Sequence, residues 1–70
     1  MRRKSVSSSA IASAGYAVKT STLEIEFVSG RIYQYFDVER ATYDALLKAS
    51  SVGTFFNAHI KEEHACVRVA

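Results

Sequence analysis

Apolar and polar residues alternate most strictly over Leu23-Glu24-Ile25-Glu26-Phe27. Alternation with a period of two gives a strand one buried face and one wet face. Gly30 then closes a hairpin, and "RIYQYF", Arg31 to Phe36, returns as the partner strand. Upstream, Ile11 to Val18 reads as a small-residue strand anchored by Ile11, Tyr16 and Val18. Its alanines favour helix, but Ser13 and Gly15 interrupt one. Lys19-Thr20-Ser21 is a polar turn before the alternating strand.

The hairpin admits two registers. A two-residue loop, Ser29-Gly30, sets Phe27 opposite Ile32 and Leu23 opposite Phe36, so Tyr33 and Tyr35 join Glu24 and Glu26 on the wet face. A three-residue loop, Val28-Ser29-Gly30, places Gly30 at the left-handed position of a bulge turn. Phe27 then faces Arg31, Ile25 faces Tyr33 and Leu23 faces Tyr35. A one-residue slip turns every side chain over, so the two are exclusive. The second is preferred because it gathers Leu23, Ile25, Phe27, Tyr33 and Tyr35 on one apolar face. It leaves Ile32 and Phe36 on the outer face.

Beyond the hairpin the period lengthens. Tyr43, Leu46, Leu47 and Ser50 form a stripe at helical spacing within Glu39 to Ser50, with Asp37 as candidate N-cap. A second helix is expected over Val52 to Glu63, capped by Ser51, with Phe56 and Ile60 on its apolar face. Cys66 to Val69 alternates weakly and fits a short last strand or a frayed tail. The pattern therefore predicts an α+β fold: a three-stranded antiparallel β-meander followed by two helices packed on one face. Residues 1–9, basic and then serine-rich, read as a flexible arm, and residues 10–70 as a single domain.

Composition narrows the class. Seventy residues make one domain, and 49% of them are apolar, as in a globular chain. The single cysteine, Cys66, leaves no intrachain disulfide, which points to a reducing, cytoplasmic setting. A chain this small buries only ~60% of its unfolded surface, which makes packing against a partner or a second copy attractive. "MRRKS" resembles a signal n-region, but the serines that follow replace the apolar stretch a signal peptide needs. No run reaches the ~20 apolar residues of a membrane span. The net charge is +2; without Arg2-Arg3-Lys4, six basic residues meet seven acidic ones, so the charge falls to about −1. Apart from its start, the chain is not a basic domain.

Candidate chemistry is sparse. His59, His64 and Cys66 invite a metal reading, but the two histidines are five apart and no CxxC or HxxxH accompanies them. A half-buried His59, an exposed His64 and a small buried or half-exposed Cys66 thiol are expected instead. Glu24 and Glu26 share a face, for which ordinary solvation is the expectation. The three glycines are isolated, so no phosphate-cradling loop exists. No catalytic residue, metal ligand or cofactor is assigned. For nucleic acid, Arg2, Arg3 and Lys4 could neutralise phosphates, and Arg31, Ile32, Gln34 and Phe36 form a candidate contact set on the outer face.

At "YQYF", with "SSSAIASAGY" before it and "ASSVGTFFNAHIK" after it, the chain resembles the KTSC family. The resemblance runs from about Ser7 to Lys61. It rests on Tyr33 and Tyr35, on Phe27 with Gly30, and on Gly53, Phe56 and Asn57, in that order and spacing. The family is a domain of about this length, found alone in bacterial and phage proteins and at the C-terminus of some lysyl-tRNA synthetases. The resemblance implies RNA binding through the synthetase context, and no cofactor or catalytic residue to carry over. The chain departs from the family's pattern at Ala17-Val18, at Glu39 and in its tail "HACVRVA". The expected function is a small non-catalytic binding module for RNA, tRNA in particular. The alternative is a protein-interaction or homo-oligomerisation module without nucleic-acid binding.

Overall fold

The computed structural model describes residues 1–70. Five strands form one antiparallel sheet in simple sequence order: β1 (Arg3–Ser5), β2 (Ile11–Ala17), β3 (Thr22–Phe27), β4 (Ile32–Tyr35) and β5 (Cys66–Arg68). Two helices, α1 (Arg40–Lys48) and α2 (Val52–His59), lie between β4 and β5 in the chain. The α+β class and the antiparallel meander are as expected, but the sheet has five strands rather than three. The two additions are its edges. The stretch expected as a flexible arm pairs with β2, Arg3 opposite Gly15 and Ser5 opposite Ser13. The tail pairs with β4, Tyr35 opposite Cys66 and Tyr33 opposite Arg68. The weak alternation of the tail is the short last strand rather than a frayed end, whereas Arg3–Ser5 carries no alternation that marks a strand.

The hairpin adopts the three-residue loop. Leu23 faces Tyr35, Glu24 faces Gln34, Ile25 faces Tyr33 and Glu26 faces Ile32. The Phe27 amide donates to the Arg31 carbonyl, the Gly30 amide donates back to Phe27, and Gly30 sits at φ 95°. Only glycine takes that conformation without strain.

On β2 the sequence spacing hides a bulge. Ile11 pairs with Phe27 and Ser13 with Glu26, so one residue is extra. The bulge lets Ile11 and Ala14, three apart, both turn toward the helices, where both are fully buried. Val18, expected as an anchor, instead lies in a 3-10 turn and is 60% exposed.

The core fills the space between sheet and helices: Ile11, Leu23, Ile25 and Tyr35 from the strands meet Leu46, Val52, Phe56 and Ile60. Helix α1 begins later than expected, and Asp37 is not its cap. The Glu39 position leads the helix without a side-chain bond. Asp37 takes a left-handed conformation, φ 55°, so that Val38 can turn fully into the core. There the Val38 amide donates to the Ser21 carbonyl, and Tyr16 Oη donates to the Val38 carbonyl at 2.6 Å. Ser51 caps α2 as expected, its Oγ accepting from the Thr54 amide at 3.3 Å. The helix ends at His59, short of the expected Glu63. Ile60 and Lys61 both donate to the Phe56 carbonyl, which stops the helical ladder and swings Ile60 into the core.

Candidate cation-rimmed cavity and outer sheet face

The two faces of the sheet treat charge in opposite ways. On the outer face, away from the helices, Arg3 reaches from β1 across β2 to β3. Its Nε donates to Ser13 Oγ at 3.0 Å and its Nη1 to Glu24 Oε2 at 2.5 Å. Ser13 Oγ donates in turn to Glu26 Oε1 at 2.8 Å, and Gln34 Nε2 donates to Glu24 Oε1 at 3.0 Å. Gly15 is what lets Arg3 cross. A Cβ there would lie 2.7 Å from the Arg2 carbonyl oxygen and 2.9 Å from Arg3 Cγ. Glu24 and Ser13 are buried, and no buried side-chain polar atom in the protein lacks a partner.

The expected solvation of Glu24 is thus overturned. Arg3 covers it, and the carboxylate is part of a closed network. Burial pushes its pKa up, but hydrogen bonds from Gln34 and Arg3, with the Arg3 charge, outweigh that and hold it below the usual value.

The candidate contact residues separate onto different surfaces. Arg3 is engaged inside the network, while Arg2 and Lys4 are exposed and in no salt bridge. Ile32, Gln34 and Phe36 lie on the outer face, where Gln34 is tied to Glu24. Val67 of β5, opposite Gln34, joins Ile32 and Phe36 there, with Val67 47% exposed. Arg31 does not share this face. Side chains alternate along a strand, so the register that turns Tyr33 inward turns Arg31 inward too.

Arg31 reaches a cavity of about 490 Å³ at the end of the β3–β4 hairpin. Phe27, Tyr35 and Phe56 make its apolar wall, and Arg31, Asn57 and Lys61 its polar rim. The aromatic rings lock one another edge to face. Phe56 lies 5.6 Å from Phe27 and 5.2 Å from Tyr35, and Tyr33 meets Phe27 at 5.8 Å. Packing of this kind holds the wall rigid. Tyr35 is pushed up to about 12, first by burial and then by Cys66 and Tyr33 beside it. None of the residues lining the cavity is acidic, and neither Arg31 nor Lys61 takes part in a salt bridge. The cavity continues past Ser9, Ala10 and Asn57 into a hydroxyl-rich groove formed by Ser7–Ser9 and the start of α2.

A shallower depression lies beside α1 and α2, where Phe55, His59, Glu63 and His64 gather. His59, expected to be half-buried, is exposed and packs on Phe55 at 4.6 Å. His64, expected to be exposed, is half-buried, its Nδ1–H donating to the Phe36 carbonyl at 3.0 Å. Cys66 is exposed. No three His, Cys, Asp or Glu side chains converge as metal ligands would.

Lys61 escaped the sequence reading. It lies just past a helix end, where its amide and that of Ile60 both donate to the Phe56 carbonyl, and there it lines the cavity mouth. Asn57, one turn earlier, stood out only through the family resemblance.

These features define a small α+β domain with an aromatic, cation-rimmed cavity between sheet and helix. Its family is equally plain. The KTSC domain profile matches residues 7–64, and the chain belongs to that family. A protein of Stutzerimonas stutzeri is 41% identical over 64 residues, covering 91% of this chain and 90% of the relative. A lysine–tRNA ligase of Nostoc punctiforme is 48% identical over 46 residues, 66% of this chain but only 8% of the ligase. The crystal structure of a KTSC domain protein from Yersinia pestis superposes with a TM-score of 0.96 at 36% identity, covering 99% of this chain and 97% of that one. Of the residues that carry the family likeness, Phe27, Tyr33, Tyr35, Phe56 and Asn57 meet in or beside the cavity, while Gly30 shapes the hairpin loop and Gly53 lines the adjoining serine groove. No helix of the structure is long and apolar enough to cross a membrane.

Proposed function

We propose that this domain is a small non-catalytic RNA-binding module of the cytoplasm, with tRNA its candidate ligand. The observation that carries this reading is the unneutralised charge. Arg31 and Lys61 stand free at the cavity mouth, and Arg2, just before β1, and Lys4, on it, are also free. The ionic groups at the centre of the outer face are instead paired with one another. The 46-residue match within a lysine–tRNA ligase supports tRNA as the ligand class. Titration of labelled tRNA at low and moderate salt tests it. Phosphate contacts release counterions, so affinity should fall steeply with salt, and Arg2→Gln with Lys4→Gln should flatten the slope by about 1–2. Salt-independent binding, or none at low salt, refutes the reading.

A second reading is favoured by the outer edge of the sheet. Phe36, Val67 and Val69 are exposed there at 36–48%, next to β5, whose far edge pairs with no other strand. An apolar patch beside an open edge is what strand addition by a protein or a second copy requires. A strict monomer by light scattering at high concentration would remove self-association.

A further inference from the structure

We infer that the cavity bounded by Phe27, Tyr35 and Phe56 is a site for a single phosphorylated nucleoside, its base against the half-buried ring of Phe27 and its phosphate on Arg31 and Lys61. This rests on the RNA reading in one respect: within RNA, the occupant is one unstacked nucleotide of a single strand.

Three features select that ligand class. The cavity's volume, about 490 Å³, lies within the ~300–1,000 Å³ typical of small-molecule sites. Its wall is aromatic, and Phe27 is only half-buried, which leaves ring surface open to a planar group. Stacking of a base on an aromatic ring is favourable and tolerates any base. Its rim holds two cations and no carboxylate, the complement of a phosphate rather than of a metal or an amine.

Specificity has its own groups. Asn57 offers both a donor and an acceptor at the mouth, suited to a base edge or a ribose hydroxyl. The adjoining serine groove continues past Asn57, with Ser8 Oγ already accepting from the Ala10 and Ile11 amides at 3.2 Å. A strand leaving the cavity therefore meets hydroxyl groups. A stacked duplex cannot place a base in the cavity, because its bases face one another, so single strands are selected.

The site stands on the rigid part of the fold. Phe56 is 3% exposed and Tyr35 4%, and both belong to the core. The polar rim is exposed: Arg31, Asn57 and Lys61 are all on the surface. The rim can therefore be changed without disturbing the fold.

The test is an amide NMR titration of the full chain with adenosine 5′-monophosphate, adenosine, inorganic phosphate and a short single-stranded RNA. The monophosphate should shift the amides of Phe27 to Arg31 and Phe56 to Lys61 saturably. It should bind at least tenfold more tightly than adenosine or phosphate alone. Arg31→Gln with Lys61→Gln should weaken it tenfold or more at unchanged thermal stability. Asn57→Asp, which places a carboxylate at the mouth, should do the same. The oligonucleotide should move the same amides and outcompete a duplex of its own sequence.

Two failures are distinguishable. If RNA binds while the cavity amides stay still and the rim variants bind it normally, the cavity assignment is overturned and the RNA reading stands. If the monophosphate binds at the cavity but no RNA does, the cavity assignment stands for a free nucleotide and the RNA reading is overturned. Silence of the cavity to every probe overturns the assignment outright.

Discussion

Arg3→Ala isolates the contact that holds β1 on the sheet. The Arg3 side chain is 27% exposed and that of Glu24 11%. Fully exposed ion pairs contribute ~0–1 kcal/mol, whereas removing one partner of a fully buried pair costs ~3–5 kcal/mol. This pair lies between those limits, closer to the buried one on the carboxylate side. Glu24 keeps the hydrogen bond from Gln34 after the change, which limits the cost. The loss of one charge-assisted hydrogen bond, ~1.5–3 kcal/mol, discounted for the exposure of Arg3, gives about 2 kcal/mol. In a domain of this size that lowers Tm by about 8–16 °C.

The pH dependence gives this prediction a second, independent readout. Burial pushes Glu24 up, and the hydrogen bonds from Gln34 and Arg3 with the Arg3 charge pull it below its ordinary 4.5. Between the folded and unfolded values the unfolded chain binds more protons. The Glu24 contribution is therefore complete above about pH 4.5 and is lost as pH falls through the lowered folded value. In Arg3→Ala the push from burial is opposed chiefly by Gln34, so the acid-side loss of stability should shrink or reverse. Urea unfolding from pH 3 to 7, with amide exchange along β1, measures both effects. A cost under ~0.5 kcal/mol with an unchanged acid limb would reduce the network to an ordinary surface pair and refute the reasoning.

Other perturbations test other parts of the fold. Gly15→Ala forces a Cβ to 2.7 Å from a backbone oxygen, so β1 should shift at a cost of ~1–3 kcal/mol, with its amides exchanging faster before any others; an unaltered exchange profile contradicts the crossing of Arg3 over Gly15. Ser51→Ala removes the cap on Thr54 and should lower stability by about 1 kcal/mol in thermal unfolding, with the sheet unchanged by NMR. The raised Tyr35 pKa, about 12, means that its contribution is complete below pH 10 and is lost as pH rises through 12. Circular dichroism across that range should show alkaline destabilisation that Tyr35→Phe reduces.

Much of the fold was legible because the central strands and both helices are long enough to show their periods. Leu23 to Phe27 alternates without a break, and its partner could be registered by asking which loop gathers the apolar residues together. The bulge on β2 was not legible. Ile11 and Tyr16 are an odd number of residues apart, which in a regular strand places them on opposite faces, and nothing in "IASAGYA" marks where the extra residue sits. The first edge strand left no signal for a related reason, and the last left only a weak one. Arg3–Ser5 is held by backbone pairing and by the contacts of Arg3 with Glu24 and Glu26 and leaves no local pattern, whereas Cys66–Arg68 pairs through backbone and shows only a short alternation that also fits a frayed tail. Asp37 was misread because a left-handed aspartate before a helix and an N-capping aspartate look alike until the fate of Val38 is known.

The candidate site was less legible than the fold because its parts come from separate segments, and two of them depend on details of register and helix ending. Arg31 belongs to the cavity only in the register that also buries Tyr35, and Lys61 only because α2 stops at His59. The basic start of the chain, in contrast, was conspicuous and only partly available for binding. Arg3 is committed to Glu24, Lys4 is part of the same strand of the sheet, and Arg2 immediately precedes it. This changes how an RNA experiment must be built. Deleting residues 1–4 would remove two free cations, but it would also remove most of β1 and uncover a buried carboxylate. Lost binding after such a deletion would follow equally from lost phosphate contacts and from a disturbed sheet. Arg2→Gln and Lys4→Gln leave Arg3 in place and remove charge alone. A salt slope that flattens in these variants at unchanged Tm assigns phosphate contacts to β1, and a slope that flattens only in Arg31→Gln and Lys61→Gln assigns them to the cavity.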